Sequence, residues 1–248
     1  MEQKLSKKVF HICMIIVIIT AVLFAVGIII LRYQVEGETN LPFEISKISI
    51  ISAVDGKDNK DEANKWNINV NQNNDVYIYI DKNNNYNKTE IIDSIIIDNI
   101  HINKDIEKGE PHIYRPTEKG TAMFENNEEN LVDQIVYAGD MESNIKQLKI
   151  SNQGGLIVLR FANDNIATYT SNDAEQVDYN KLLQETKTTY EDLKTTTTFD
   201  LTIKLKSGKS FKANISLQIP IEGIVENGTS SKEITETNNI VFKRIENN

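Results

Sequence analysis

The chain has 248 residues, 40% of them hydrophobic, with a formal net charge of −9. Most of that charge lies after residue 32, where 23 basic groups face 35 acidic ones, a balance of −12. An acidic body repels phosphate backbones and anionic lipid surfaces, which excludes nucleic acid as a natural partner. The only cysteine is Cys13, inside the apolar N-terminal run, so residues 33–248 must fold on their core without a disulfide.

Val9 to Leu31 is 23 residues without a charge. As a helix it extends roughly 34 Å, enough for a ~30 Å hydrocarbon layer. Lys4, Lys7 and Lys8 precede the run, and only Arg32 directly follows it. The positive-inside rule then keeps the N-terminus cytoplasmic and exports the rest. The run is long for a cleaved signal core, and Ile28-Ile29-Ile30-Leu31 continues it where a small-x-small site would be needed, which predicts an uncleaved anchor. Phe10-His11-Ile12 before Cys13 does not make a lipobox. The expected organisation is residues 1–8 as a cytoplasmic tail, 9–31 as a transmembrane helix, 32–42 as a tether and 43–248 as an extracytoplasmic β region of one or two units.

Within that region Phe43 to Val54 reads as a strand and Asp55 to Asn64 as a charged loop. Trp66, Ile68 and Val70 alternate with asparagines, and Val76, Ile78 and Ile80 alternate with Tyr77 and Tyr79. Period two predicts strands with one buried face, and the polar residues 69–75 predict a turn or a bulge between them. Ile91 to Ile102 reads as a strand buried on both faces, because its isoleucines are doubled and tripled. Asn103 to Asn130 reads as a long polar loop, a length that suggests function or mobility. Leu131 to Ala138 and Ile145 to Ile150 are short strands. Gly154-Gly155 introduces Leu156 to Phe161, and Asn163-Asp164-Asn165 predicts a hairpin turn into Ile166 to Thr170.

Asp173 to Lys194 breaks the β rhythm and reads as one or two short helices, with Asp178 or Asn180 as cap and Thr188-x-x-Glu191 at capping-box spacing. Phe199, Leu201, Ile203 and Leu205 alternate with polar residues, as do Phe211 to Ile219, across a Ser207-Gly208 turn. Pro220 ends that hairpin. Asn227-Gly228 marks a turn, and Ile240 to Ile245 is a final strand. Strands of this length between turns predict a mainly β fold: an immunoglobulin-like β-sandwich with a short helical insertion, preceded by one transmembrane helix.

No motif carries recognisable chemistry. His101 and His112 are eleven apart without a cysteine between them, which does not make a zinc set. Asp81-x-Asn83-x-Asn85 begins like a calcium loop, but Tyr86 stands where glycine is needed and Ile92 where the bidentate acid is needed. No Gly-x-Ser-x-Gly elbow occurs. The expectation is a non-enzyme without cofactor or metal.

Ile outnumbers Leu 37 to 14, Lys outnumbers Arg 23 to 4, and Asn reaches 29, a preference for A/T-rich codons. Together with Gly37-Glu38-Thr39-Asn40-Leu41-Pro42-Phe43 after the anchor, Gly154-Gly155-Leu156-Ile157 and the closing Phe242-Lys243-Arg244-Ile245, the chain resembles uncharacterised single-pass membrane-anchored proteins of low-GC bacteria. The resemblance implies a bacterial, membrane-anchored protein and names no function. The expected role is an extracytoplasmic binding or scaffolding module whose partner is another envelope protein or a cell-wall polymer, with Tyr77, Tyr79, Tyr114 and Tyr137 as the interaction surface. A small-ligand sensor or transport accessory subunit is the alternative, and an envelope hydrolase using paired acids a more distant one.

Overall fold

The structure is a computed structural model that describes residues 2–36, 40–62, 65–104, 107–171 and 177–245. Helix α1, Glu2–Glu36, contains the uncharged run Val9–Leu31, with mean hydropathy 3.3 and none of it buried. That helix is long and apolar enough to cross a membrane, or to act as a signal sequence. The one hydroxyl residue of the run Val9–Leu31, Thr20, donates to the carbonyl of Ile16 at 2.9 Å, so its hydroxyl offers no open donor to an apolar medium.

The remainder is mainly β, in two sheets. Strands β1 (Phe43–Glu62), β2 (Lys65–Lys82), β4 (Glu110–Tyr114), β7 (Gly155–Ser171) and β10 (Thr229–Ile234) form the first, in the order β10-β1-β2-β7-β4. Strands β3 (Ile92–Lys104), β5 (Ile135–Asp140), β6 (Lys149–Ser151), β8 (Thr195–Leu205), β9 (Ser210–Gln218) and β11 (Lys243–Ile245) form the second, in the order β11-β9-β8-β3-β5-β6. The inward rows Ile48, Ile50, Val76, Ile78, Ile157 and Leu159 of one sheet pack in a single cluster with Ile95, Ile97, Leu201, Ile203 and Ile215 of the other. Phe161 and Phe199 meet across the gap with ring centroids 6.0 Å apart. This is a sandwich, and the eleven strands among the described residues, in these two orders, exceed the seven to nine of immunoglobulin domains.

Several sequence expectations are corrected. The charged residues 55–62 continue β1 rather than looping, because they pair with the start of β2 from Asp55↔Asn71 to Glu62↔Lys65. Residues 69–75 lie inside one 18-residue strand, β2, and pair with β1 without a break; the irregularity falls on β7, where Asp164, Asn165 and Ile166 stand opposite Asn71 alone. Asn163-Asp164-Asn165 is not a hairpin turn. Gly155 to Ser171 is one strand, kinked where Asn165 takes φ 57° and its N–H donates to Asn71 Oδ1 at 2.8 Å. Ile95 to Ile97 alternate buried, half-buried, buried, so β3 has one core face and not two. Strand β4 interrupts the supposed Asn103–Asn130 loop. Ile145–Gln147 is a 3-10 turn, leaving only Lys149–Ser151 as strand.

The long strands β1, β2 and β7 run past the sandwich. Twenty residues of β1 extend about 66 Å. Their far ends carry a second apolar cluster: Ile68, Val70 and Ile166 on the sheet with Leu182, Leu183, Leu193 and Ile224 from three one-turn helices. Those helices are α2 (Leu182–Glu185), α3 (Tyr190–Leu193) and α4 (Ile224–Asn227). Asp178 caps the 3-10 turn Tyr179–Lys181 before them, as expected, and the capping box falls on Thr189 and Asp192, one residue later than expected. The expected insertion begins at Asp173, but residues 172–176 lie outside those described. Gly56 lets this cap approach: a Cβ there would stand 2.7 Å from both Ile68 Cγ2 and Tyr179 Cε1.

A polar layer separates the two apolar clusters. On the inward rows, Ser52 Oγ donates to Asn74 Oδ1 at 2.6 Å, and Gln72 Nε2 donates to Ser52 Oγ at 3.1 Å. Asn74 Nδ2 continues the chain to the Phe161 carbonyl at 3.0 Å. Gln72 Oε1 has no hydrogen-bond partner among the described residues. Such a layer costs stability relative to an apolar one.

Candidate interaction surface

Alternation along β2 sends Val76, Ile78 and Ile80 into the core and Tyr77 and Tyr79 onto the outer face of the five-stranded sheet. Pairing across the sheet fixes their neighbours. One row runs Glu233, Ser49, Tyr77, Val158, and the row beside it Ser231, Ile51, Asp75, Arg160, Tyr114. Lys47 and Leu156 flank Tyr79.

A strap, residues 115–134, covers half of this face. Its Phe124 is buried against Tyr114, Val158 and Ala162, with Met123 and the edge of Tyr77 beside them. An ionic cluster ties it down. Arg160 grips Asp75 with two bonds, Nε to Oδ1 at 2.6 Å and Nη2 to Oδ2 at 2.9 Å. Its third nitrogen reaches Asn126 Oδ1 of the strap at 3.0 Å, and its guanidinium lies 4.6 Å from the Phe124 ring centre. Asn126 donates in turn to Asn73 Oδ1 at 2.8 Å. Lys146 holds the tip through the Gly120 and Thr121 carbonyls.

The half of the face over β10, β1 and β2 is left open. It forms a shallow groove of about 440 Å³ lined by Ser49, Ile50, Ile51, Tyr77, Tyr79, Ser231, Lys232 and Glu233. Ile51 is 45% exposed, and the other outward-facing residues that line the groove are polar or aromatic. Lys47 stands 4.5 Å from the Tyr79 ring centre and pairs with Glu233 at 2.9 Å, while Ser49 Oγ donates to the same carboxylate. The Glu233 hydrogen bond raises the ammonium of Lys47 above its usual range, and the same bond lowers the Glu233 carboxyl. Burial, and then the charge of Asp75, pushes the Tyr77 hydroxyl up.

The four tyrosines expected at an interaction surface therefore divide. Tyr77 and Tyr79 are half-buried and line the open groove. Tyr114 is 6% exposed beneath the strap, and its hydroxyl donates to Asp164 Oδ2 at 2.9 Å. Tyr137 is fully buried between the sheets. It satisfies strand β7 beyond the end of β4: its hydroxyl donates to the Val158 carbonyl at 2.7 Å and accepts from the Val158 N–H at 3.2 Å. Neither Tyr114 nor Tyr137 can meet a partner on the surface. Ile51, Lys47 and Glu233 belong to the groove and were not singled out. Phe43 to Val54 reads as a strand without an assigned outer face, and only the pairing with β10, some 180 residues later, brings Ser231 beside Ile51 and Glu233 beside Ser49.

The three histidines stay apart. His11 is on α1, and His101 is exposed on β3. The His112 Nδ1 lies 2.9 Å from Asp164 Oδ2, so one carboxylate joins β4 to the kink of β7 through both His112 and Tyr114. The Asp81 to Asn85 stretch folds as an Asx turn, Asn83 Oδ1 accepting from the Asn85 N–H at 2.9 Å. Among the described residues no group of three or more His, Cys, Asp or Glu is arranged to hold a metal ion.

No protein-family model, curated protein or solved structure matches this chain.

Proposed function

We propose that the chain is a single-pass membrane protein, N-terminus inside, whose folded body stands outside the cell as a non-catalytic binding module of the envelope. Its contact surface is the open groove around Tyr77 and Tyr79. The observation that carries this reading is the half-covered sheet. The strap seals one side of the outer face through Phe124 and the Arg160–Asp75 pair, and leaves Ile51 and two tyrosines uncovered on the other. Lys4, Lys7 and Lys8 before the apolar helix support the orientation, and the −12 body suits solvent rather than the anionic membrane surface.

The sensor alternative requires an enclosed apolar pocket, whereas this groove is open along its length. The hydrolase alternative requires an acid pair across a cleft. Here Asp75 and Asp164 are each committed, one to Arg160 and the other to Tyr114 and His112. A photo-crosslinking side chain at Ile51, tested in intact cells, is expected to capture an envelope component, and the same group at Val136 on the outer face of the second sheet is not. No adduct at Ile51, together with tight binding of a small solute by the purified full-length protein, would replace this reading with the sensor.

A further inference from the structure

We infer that the occupant of this groove is an uncharged polysaccharide chain; the inference rests on the binding-module reading above. The size of the groove is the first argument. A stable protein partner needs roughly 20–30 residues a side, whereas eight residues line the groove and Glu222, Thr229 and Ser230 extend it past Ile51. A narrow polymer needs only a track.

The chemistry of the track is the second. Tyr77 and Tyr79 stand two residues apart on one strand, roughly 6.8 Å along it, so two half-buried rings line the groove in a row, that of Tyr79 with Lys47 over it. Aromatic faces attract the weakly positive C–H edges of sugar rings, as they attract other positive edges. Hydroxyls are met beside the rings by Ser49 and by the Lys47–Glu233 pair, which offers both donor and acceptor at no net charge.

Charge and edge chemistry exclude the competitors. A body at −12 repels a polyanionic wall polymer. A peptide adding to the open edge of β10 would run past Lys232, which pairs with Ile50 in register and so sits on the core-facing side of that edge. An inward-side lysine on an edge strand is a known guard against strand addition.

The test titrates full-length protein in lipid nanodiscs with two uncharged probes, an N-acetylglucosamine hexamer and a β-glucan hexamer, by calorimetry. The inference expects at least one to bind. It expects Tyr79→Ala and Ile51→Glu each to weaken that binding at least tenfold, and Val136→Ser to leave it unchanged. Ile51 is already exposed, so its variant keeps the fold while placing a charge on the track. Failure of both probes to bind, or binding indifferent to Ile51→Glu, overturns the inference. The Ile51 crosslink separates the two claims. If it captures a protein while neither sugar binds, the module reading stands and the glycan does not; if it captures nothing and neither sugar binds, both fall.

Discussion

Leu183→Ala tests whether the polar layer divides the body into two cooperative units. Leu183 is fully buried in the distal cluster, where seven buried side chains pack among the described residues. Removing its three carbons costs about 3 kcal/mol in a site that cannot fully collapse. If Ser52, Gln72 and Asn74 uncouple the distal cluster from the main core, that cost appears as local opening. At 1.4 kcal/mol per decade, ~3 kcal/mol is roughly a hundredfold faster amide exchange at Ile68, Val70 and Ile166. Exchange at Leu201 and Ile203 of β8 should not change. The complementary variant, Leu201→Ala in the main core, should accelerate β8 and leave the distal amides near their original rates. Native-state hydrogen exchange read by NMR or mass spectrometry resolves the two sets. Equal acceleration of both sets by Leu183→Ala would refute the division and make the body one cooperative unit.

Arg160→Ala should cost about 2–3 kcal/mol in thermal or denaturant unfolding, since it strands the Asp75 carboxylate at 18% side-chain exposure; it should also speed tryptic cleavage after exposed Lys119 on the strap. Tyr137→Phe should cost about 1–3 kcal/mol, because the lost hydroxyl leaves the buried Val158 N–H and C=O unpaired; an unchanged melting curve would refute that pairing. Burial alone would push Glu90 up, but hydrogen bonds from Lys209, Ser207 and Tyr86 and the Lys209 charge hold its carboxyl below the ordinary 4.5. A depressed carboxyl stabilises fully above its unfolded value and loses that contribution as pH falls through the folded one. Melting temperature should therefore fall below about pH 4.5, less steeply in Glu90→Gln, and equal slopes in the two proteins would contradict the assignment.

The parts legible in the sequence are those written in short-range patterns. An uncharged run longer than a core helix marks α1, and strict alternation around Ser207-Gly208 gives β8 and β9 nearly residue for residue. The same alternation put Tyr77 and Tyr79 on an outer face. Misreadings cluster where the partner is far away or the residues are polar. Asp55 to Glu62 is strand because Lys65 to Asn71 pairs with it, although its composition is that of a loop. Asn163 to Asn165 has turn chemistry, but that chemistry is used to bulge one strand, β7, opposite Asn71. Tyr114 and Tyr137 were indistinguishable from surface tyrosines until the strap and the second sheet were in place, since burial of a strand residue depends on what covers that face.

If the body stands outside the cell with the Tyr77–Tyr79 face against an envelope component, as proposed, single thiols on its two outer faces will differ in reactivity. In a Cys13→Ser background, Ile51→Cys and Val136→Cys place single thiols on the two outer faces, at positions 45% and 43% exposed. A membrane-impermeant maleimide should label both at matching rates in purified protein. In intact cells it should label Val136→Cys readily and Ile51→Cys several-fold more slowly, because the groove is occupied. Failure to label either in intact cells would contradict the outward orientation, and equal rates in cells would contradict the occupied face.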